Sequence, residues 1–247
     1  MKDSLKNSTQ VSYETSDCKI NFYGVELPTT HKYVATQDQD WPKVIDNRKI
    51  INELFGPSVF LRQIHSNICH QLKTPLEDYI SFDIAADGII TEMKNINLII
   101  QTADCVPILF KSSDKKIIGA CHAGWKGAIS GVIENTIEAL NNNGAEEIEA
   151  FIGPCISQEN YEVDEDFYQI FLKEDKLNQN FFAPQGNKYL FNLQLYTISK
   201  LEKLNIKTIN ICNIDTYSNK EYFSYRRFCH SNKQAPYGSN LSIISLC

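Results

Sequence analysis

Cys105 and His122 are the pair whose types and spacing point most directly to chemistry. Cys105 precedes the apolar run 106–110 and His122 follows the run 117–121, with a polar stretch, Lys111-Ser112-Ser113-Asp114-Lys115-Lys116, between the runs. That composition turns a hairpin. A turn centred between Ser113 and Asp114 sets Phe110 opposite Ile117 and, in the same antiparallel register, Cys105 opposite His122. Directly opposed residues share one face of a sheet with Cβ atoms about 4.5 to 5.5 Å apart. At that separation a thiolate and an imidazole can share one metal ion, which wants bonds of about 2.0 to 2.3 Å. His65, closing Phe60-Leu61-Arg62-Gln63-Ile64-His65, is a third candidate ligand; sequence does not set its distance from the hairpin, and His70 is a rival five residues on. The spacing matches no paired CxxC or HxxxH motif of a closed structural zinc site. Three ligands with a fourth position open to water is the catalytic arrangement. The plain alternative is a buried thiol near two hydrogen-bonded histidines.

The next segment, His122-Ala123-Gly124-Trp125-Lys126-Gly127, joins a strand to the strongest helix of the chain. Its glycines permit a tight turn that leaves the first helical amides uncovered, a place suited to phosphate, and Lys126 could add charge. A plain strand-to-helix turn accounts for the same residues.

The elements that must position these groups can be read from periodicity. A helix is expected over residues 128–142, where Ile129, Val132, Ile133, Thr136, Ile137 and Leu140 recur at three-and-four spacing, with Gly144 to stop it. Further helices are expected over 41–54, 164–173 and 193–204. Strands are expected over 18–25, 59–63, 88–91, 98–101, 106–110, 117–121, 148–152, 208–212 and 241–246, several apolar on both faces as in a sheet covered on each side. Residues 174–188 read as a less regular stretch. The order is mixed α/β, with a largely buried, mixed sheet.

The 247 residues include 24 Lys and Arg against 30 Asp and Glu, a net charge of −6 with no long basic run, which argues against nucleic acid or an anionic membrane surface as a partner. Residues 1–16 are polar and read as a flexible N-terminal leader, followed by a single catalytic domain over 17–247. That leader lacks the apolar core of a secretion signal, and no apolar stretch approaches the roughly 20 residues of a membrane span, so a cytoplasmic location is expected. The eight cysteines show no regular spacing in a chain of this size, which favours reduced thiols.

Several segments, in order, resemble the YfiH-like laccase-domain family: Gln63-Ile64-His65, Ala86-Asp87-Gly88-Ile89-Ile90-Thr91, Thr102-Ala103-Asp104-Cys105-Val106-Pro107, His122-Ala123-Gly124-Trp125-Lys126-Gly127, Gly153-Pro154-Cys155-Ile156 with Tyr161-Glu162-Val163, and Phe223-Ser224-Tyr225-Arg226-Arg227. That family has been called multicopper polyphenol oxidoreductase and, more recently, purine nucleoside phosphorylase. The resemblance implies an α/β/β/α layered sandwich with mixed sheets. It implies His65, Cys105 and His122 as the metal-binding and catalytic trio, with zinc favoured over copper. It also implies phosphorolysis of adenosine, inosine and methylthioadenosine, with inorganic phosphate as co-substrate, and some adenosine deamination. Two departures stand out. The family's N-terminal Thr-Arg and paired Gly have no counterpart between Asn21 and Trp41, and its C-terminal Gly-Arg is here Gly238-Ser239. Both lost arginines are groups that would meet an anionic substrate.

For deamination, a zinc-lowered water attacks C6 of adenine, and Asp104 or Glu162 are candidates to shuttle the proton, although on a regular strand Asp104 points away from Cys105. A carboxylate bonded to a nearby turn is the simpler fate of Asp104. For phosphorolysis, Arg226 and Arg227 are the remaining cations, and neighbours on a strand face opposite ways, so one of them should face the site. Gly124, Trp125 and Lys126 are further candidate substrate contacts, with Trp125 and Tyr225 available to stack on a purine. Other classes remain, the last of them a non-enzymatic binding role to which the missing arginines point. A multicopper oxidase needs more than the five histidines of this chain, whereas a cysteine hydrolase acting on cell-wall precursors would use Cys105 as nucleophile and His122 or His65 as base. The expected partners are small-molecule nucleosides, with the chain a monomer or weak homo-oligomer.

Overall fold

The computed structural model describes residues 11–15, 17–28, 41–80, 84–234 and 237–247. The first half of the chain holds β1 (Val11–Glu14), β2 (Cys18–Tyr23), α1 (Trp41–Phe55), β3 (Ser58–Arg62), β4 (Cys69–Leu72), β5 (Ile84–Ala85), β6 (Gly88–Thr91), β7 (Asn97–Thr102), β8 (Val106–Ser112) and β9 (Ile118–Ala123). It continues through α2 (Trp125–Ser130), α3 (Val132–Asn142), β10 (Ile148–Ile152), β11 (Glu162–Val163), α4 (Glu165–Glu174), β12 (Phe182–Gln185), β13 (Lys188–Phe191), α5 (Leu193–Lys203), β14 (Thr208–Ile211), α6 (Tyr225–His230) and β15 (Asn240–Leu246).

Two six-stranded mixed sheets, ordered β1-β2-β15-β7-β3-β5 and β14-β10-β8-β9-β6-β4, lie face to face, and β11-β13-β12 make a small third sheet. Side-chain alternation explains the layers. Leu98, Ile100, Val59 and Leu61 of the first sheet meet Leu109, Ile118, Ala120 and Phe151 of the second in one buried cluster. The alternate residues of the first sheet, Phe60, Ile99, Leu241 and Ile243, pack on Ile51 of α1. Those of the second, Ile108, Phe110 and Cys121, pack on Val132, Ile133, Ile137 and Leu140 of α3 and on Leu193, Tyr196 and Leu201 of α5. The result is an α/β/β/α sandwich with mixed, largely buried sheets, as expected from the sequence.

Several expectations are corrected. Val11–Glu14, within the stretch read as leader, form β1 and pair antiparallel with β2 from Val11↔Phe22 to Glu14↔Lys19. The helix expected over 128–142 starts earlier and breaks at Gly131, whose φ of +99° caps one helix and begins the next. Residues 176–181 form a 3₁₀ segment, and the stretch read as irregular ends in β12. Arg226 and Arg227 lie on α6, with Ser224 as its N-cap, and not on a strand. The hairpin runs in a register two residues from the one expected, with Pro107 opposite His122 and Phe110 opposite Gly119. Ser112 and Ile117 close it, with the Ser112 N–H donating to the Ile117 carbonyl at 3.1 Å. A shift of two keeps every side chain on its face. Cys105 and His122 therefore still share a face, now as diagonal neighbours on the side towards the first sheet.

Three connections carry the chain from the first sheet to the second: β3 to β4, β5 to β6 and β7 to β8. Their amides leave the ladders at the crossing, so they need other acceptors.

Candidate active site

The three crossings bring together the groups singled out from the sequence. His65 lies between β3 and β4, and Cys105 between β7 and β8; His122 sits near the end of β9. The three donor atoms lie within 4.8 Å of one another, with Cys105 Sγ 3.9 Å from His65 Nε2. The His65 and His122 rings meet edge-on with centroids 4.7 Å apart. His70, the rival ligand, lies on β4 opposite Ile89 and is not part of the cluster. Bonds of about 2.0 to 2.3 Å around one tetrahedral ion set donors about 3.3 to 3.8 Å apart, so a closure of about 1 Å suits these three to a single metal.

Backbone strain marks the site. His65 has φ of +58° and Asp104, immediately before Cys105, has φ of +93°, both in the left-handed region that non-glycine residues avoid. Gly124 meets a different requirement: a Cβ there would lie 2.7 Å from His65 Cδ2 and 3.0 Å from Cys105 Sγ. Only a residue without a side chain lets the β9–α2 turn pass this close.

Electrostatics favour a thiolate. Burial alone would raise the Cys105 thiol, but the charge and hydrogen bond of His122, helped by His65, bring it down to about 6. Burial likewise opposes a charged His122, yet the Cys105 thiolate and the Asp87 carboxylate raise it to about 9. Asp87 is buried, and hydrogen bonds from His122 and Ser66 overcome its desolvation and hold it at about 2. Asp87 escaped notice in the sequence as a functional group. The available signal was an acidic residue flanked by apolar ones, which calls for a buried partner.

A cavity of about 290 Å³ opens beside the trio, lined by His65, Asp104, Cys105, Trp125, Tyr161 and Arg226 among others. Trp125 is backed by Phe167 at 4.9 Å between centroids. Arg226 lies over the Tyr161 ring at 5.3 Å and donates from Nη1 to the Glu162 carbonyl at 2.9 Å. Arg227 is used otherwise: its guanidinium donates to the carbonyls of Thr216, Tyr217, Asn219 and Tyr222. So Arg226 lines the cavity and Arg227 does not, and a helix rather than a strand separates them. Lys126 lies over the Trp125 ring at 5.4 Å.

The two candidate proton carriers differ. Asp104 accepts from Thr216 Oγ1 at 2.7 Å and from the Arg226 N–H at 2.7 Å, which makes it the anchor of the first turn of α6. Burial raises its carboxyl pKa despite these bonds. The Glu162 carboxylate pairs with Lys188 at 2.5 Å. All eight cysteines are free thiols. Among the described residues, no helix is long and apolar enough to cross a membrane.

Two mixed sheets sandwiched by helices, with a His/Cys/His cluster where the chain changes sheets, define a layered α/β protein with a candidate metal centre. The chain belongs to the family described as multi-copper polyphenol oxidoreductase laccase, whose model matches residues 30–247. A relative from Rickettsia conorii named purine nucleoside phosphorylase is 38% identical over 219 residues, covering 86% of this chain and 89% of the relative. Escherichia coli purine nucleoside phosphorylase YfiH is 31% identical over 188 residues, covering 74% and 75%. Two solved structures share the fold. A Neisseria meningitidis protein of the DUF152 family superposes with a TM-score of 0.78 at 24% identity, covering 97% of this chain and 99% of its own. Bacillus licheniformis YfiH gives 0.75 at 21% identity, covering 93% of each.

Proposed function

We propose that this chain is a metal-dependent purine nucleoside enzyme that phosphorolyses adenosine, inosine and methylthioadenosine and also deaminates adenosine. The observation that carries this is the convergence of His65, Cys105 and His122 beside a cavity that also holds Trp125, Tyr161 and Arg226. The names of relatives that match most of the chain point to the same substrate class.

His65, Cys105 and His122 would hold the metal, read as zinc because three protein ligands with a fourth position open is the catalytic zinc arrangement and five histidines are too few for a multicopper cluster. When bound, zinc supplies Lewis acidity at a coordination position that the trio does not fill. The remaining work falls to the chain. Arg226 commits one guanidinium nitrogen to Glu162, leaving other N–H groups of its five to hold inorganic phosphate against the ribose. Arg227, tied to four carbonyls, shapes α6 and contributes no ligand contact. Trp125 and Tyr225 offer ring faces to the purine, while Gly124 leaves room beside the trio. Lys126, over the Trp125 ring, adds positive charge for an anionic substrate. Asp104 fixes α6, and so Arg226, at the cavity wall. We further propose a single catalytic domain over residues 17–247, a cytoplasmic location, a monomer or weak homo-oligomer, and no nucleic acid or membrane partner.

The test is mass spectrometry of purified zinc-loaded protein incubated with adenosine, inosine and methylthioadenosine, with and without phosphate. Free base with ribose 1-phosphate, or with 5-methylthioribose 1-phosphate from methylthioadenosine, formed only when phosphate is present, is expected, as is inosine from adenosine. Cleavage that ignores phosphate would replace phosphorolysis with hydrolysis, and no product from any of the three would end the proposal. Cys105→Ala and His122→Ala should each lose zinc and turnover while keeping the wild-type circular dichroism spectrum. Normal activity in either variant would remove the trio from the mechanism.

One further reading has a specific observation behind it. A thiol lowered to about 6 beside His122 is suited to a metal-free cysteine hydrolase. Covalent trapping of Cys105 by an electrophile in metal-free protein that remains active would favour it, and stoichiometric copper with a redox-active visible band would favour the oxidase of the family label.

A further inference from the structure

Both imidazoles of the trio need orienting, and they reach it from segments far apart in the chain. The backbone around His65 lies between β3 and β4, where the Ile64, His65 and Ser66 N–H groups donate to a side chain. All three point at one carboxylate. Asp87 Oδ2 accepts from Ile64 N at 3.1 Å, Ser66 N at 2.6 Å and Ser66 Oγ at 2.8 Å, and Oδ1 accepts from His65 N at 3.0 Å. Consecutive amides converge on one anion only when the chain is curled, and the left-handed His65, with φ of +58°, supplies the curl. The same Oδ1 lies 2.8 Å from His122 Nδ1. Asp87 is also tied to the neighbouring strand by its backbone, its carbonyl accepting from the His122 N–H at 2.7 Å.

We propose that Asp87 is a positioning residue that holds both histidines at once: its carboxylate keeps the hydrogen of His122 on Nδ1, and its cradle of amides turns His65 towards Cys105. The inference rests on the metal-centre reading above. An ionised carboxylate only accepts hydrogen bonds, so His122 Nδ1 must be the donor. Nε2 then carries the lone pair that a metal needs. The cradle around His65 requires an acceptor at the same point, so one buried carboxylate serves two ligands, one from a crossing between sheets and one from the end of a strand.

An asparagine separates this role from bulk. It has nearly the shape of aspartate but one accepting and one donating group. With its oxygen in the place of Oδ2, its NH₂ takes the place of Oδ1: it faces His122 Nδ1, which must then accept so that the ring hydrogen moves to Nε2, and it deprives the His65 N–H of its acceptor. The predicted loss comes from a reversed tautomer and a lost acceptor and not from a cavity.

The experiment compares full-length wild-type, Asp87→Asn and Ser66→Ala proteins by competition for zinc with a chelator of known affinity. Long-range proton–nitrogen correlation of the histidine rings in the zinc-loaded samples supplies the second readout. Asp87→Asn is expected to bind zinc about 10- to 100-fold more weakly, with the His122 hydrogen on Nε2. Ser66→Ala removes one donor to Oδ2 and leaves the carboxylate and both rings in place, so it should weaken zinc binding less than Asp87→Asn does and keep the His122 hydrogen on Nδ1. A role confined to the fold would lower the thermal midpoint of Asp87→Asn and leave zinc affinity and the His122 nitrogen pattern unchanged, which would overturn the proposal. If Asp87→Asn does not fold, the wild-type spectrum decides: coordination through Nε2 with a slowly exchanging Nδ1 hydrogen supports the proposal, and coordination through Nδ1 overturns it. Failure of the wild type to bind zinc would end the metal-centre reading and this inference with it. Equal zinc affinity in wild type and Asp87→Asn would end this inference alone.

Discussion

Adjacent arginines with the same chemistry have opposite surroundings in this protein. Arg226 faces the cavity with one of its donors engaged, whereas Arg227 ties four backbone carbonyls together. If Arg226 holds phosphate as proposed, Arg226→Ala should raise the phosphate KM by about 10- to 100-fold, the loss of one charge-assisted bond, with little change in thermal midpoint. Arg227→Ala should do the reverse, because it strands buried carbonyls at about 1–3 kcal/mol. A steady-state phosphate titration alongside thermal melts separates them, and an unchanged KM in Arg226→Ala would remove it from substrate binding. The Cys105–His122 pair makes a second test at this scale. With Cys105 lowered to about 6 and His122 raised to about 9, metal-free protein should hold a thiolate and an imidazolium between those values. The thiolate absorbance near 240 nm assigned to Cys105, by difference from Cys105→Ala, should fall as pH drops through about 6. A midpoint near 9 would show that the histidines do not stabilise it.

At the scale of elements, the hairpin and the β9–α2 turn decide how closely the ligands approach. The hairpin register differs from the simplest turn by two residues because Ser112 and Ile117 close the loop, and the even shift keeps Cys105 and His122 on one face. A shift of one would have separated them. Gly124 lies where a methyl group would press on His65 and Cys105. Gly124→Ala should therefore weaken zinc binding by at least about tenfold while keeping the sandwich folded, since second-contact perturbations of metal ligands have that size. Isothermal titration with zinc, alongside circular dichroism, would check this, and wild-type affinity would mean that the turn can yield.

Across the whole molecule, the site depends on two sheets holding their separation. Leu109 of β8 belongs to the cluster between the sheets and lies on the same face as Pro107 and Cys105. Leu109→Ala should cost about 2–5 kcal/mol of stability, the range for deleting a fully buried leucine side chain. The measurement is chemical denaturation, and a loss below about 1 kcal/mol would mean that the sheets repack. Such a cost is large beside the total stability of an ordinary domain.

Local patterns carried much of this protein. The apolar stripe from Ile129 to Leu140, the doubly buried runs of β6 to β9 and the polar turn at 111–116 respond to neighbours a few residues away, so periodicity exposes them. The break at Gly131 was less legible, because the apolar stripe continues across it. Spacing also brought Cys105 and His122 to one face. The choice of His65 over His70, of Arg226 over Arg227 for the cavity wall, and the burial of Asp87 among the amides of 64–66 came only with the tertiary structure. Each depends on a chain crossing from one sheet to another, where contacts join residues tens of positions apart and the ladder pattern stops. No periodicity survives such a crossing, because the backbone there is held by side chains such as Asp87 and Asp104 instead of by a neighbouring strand.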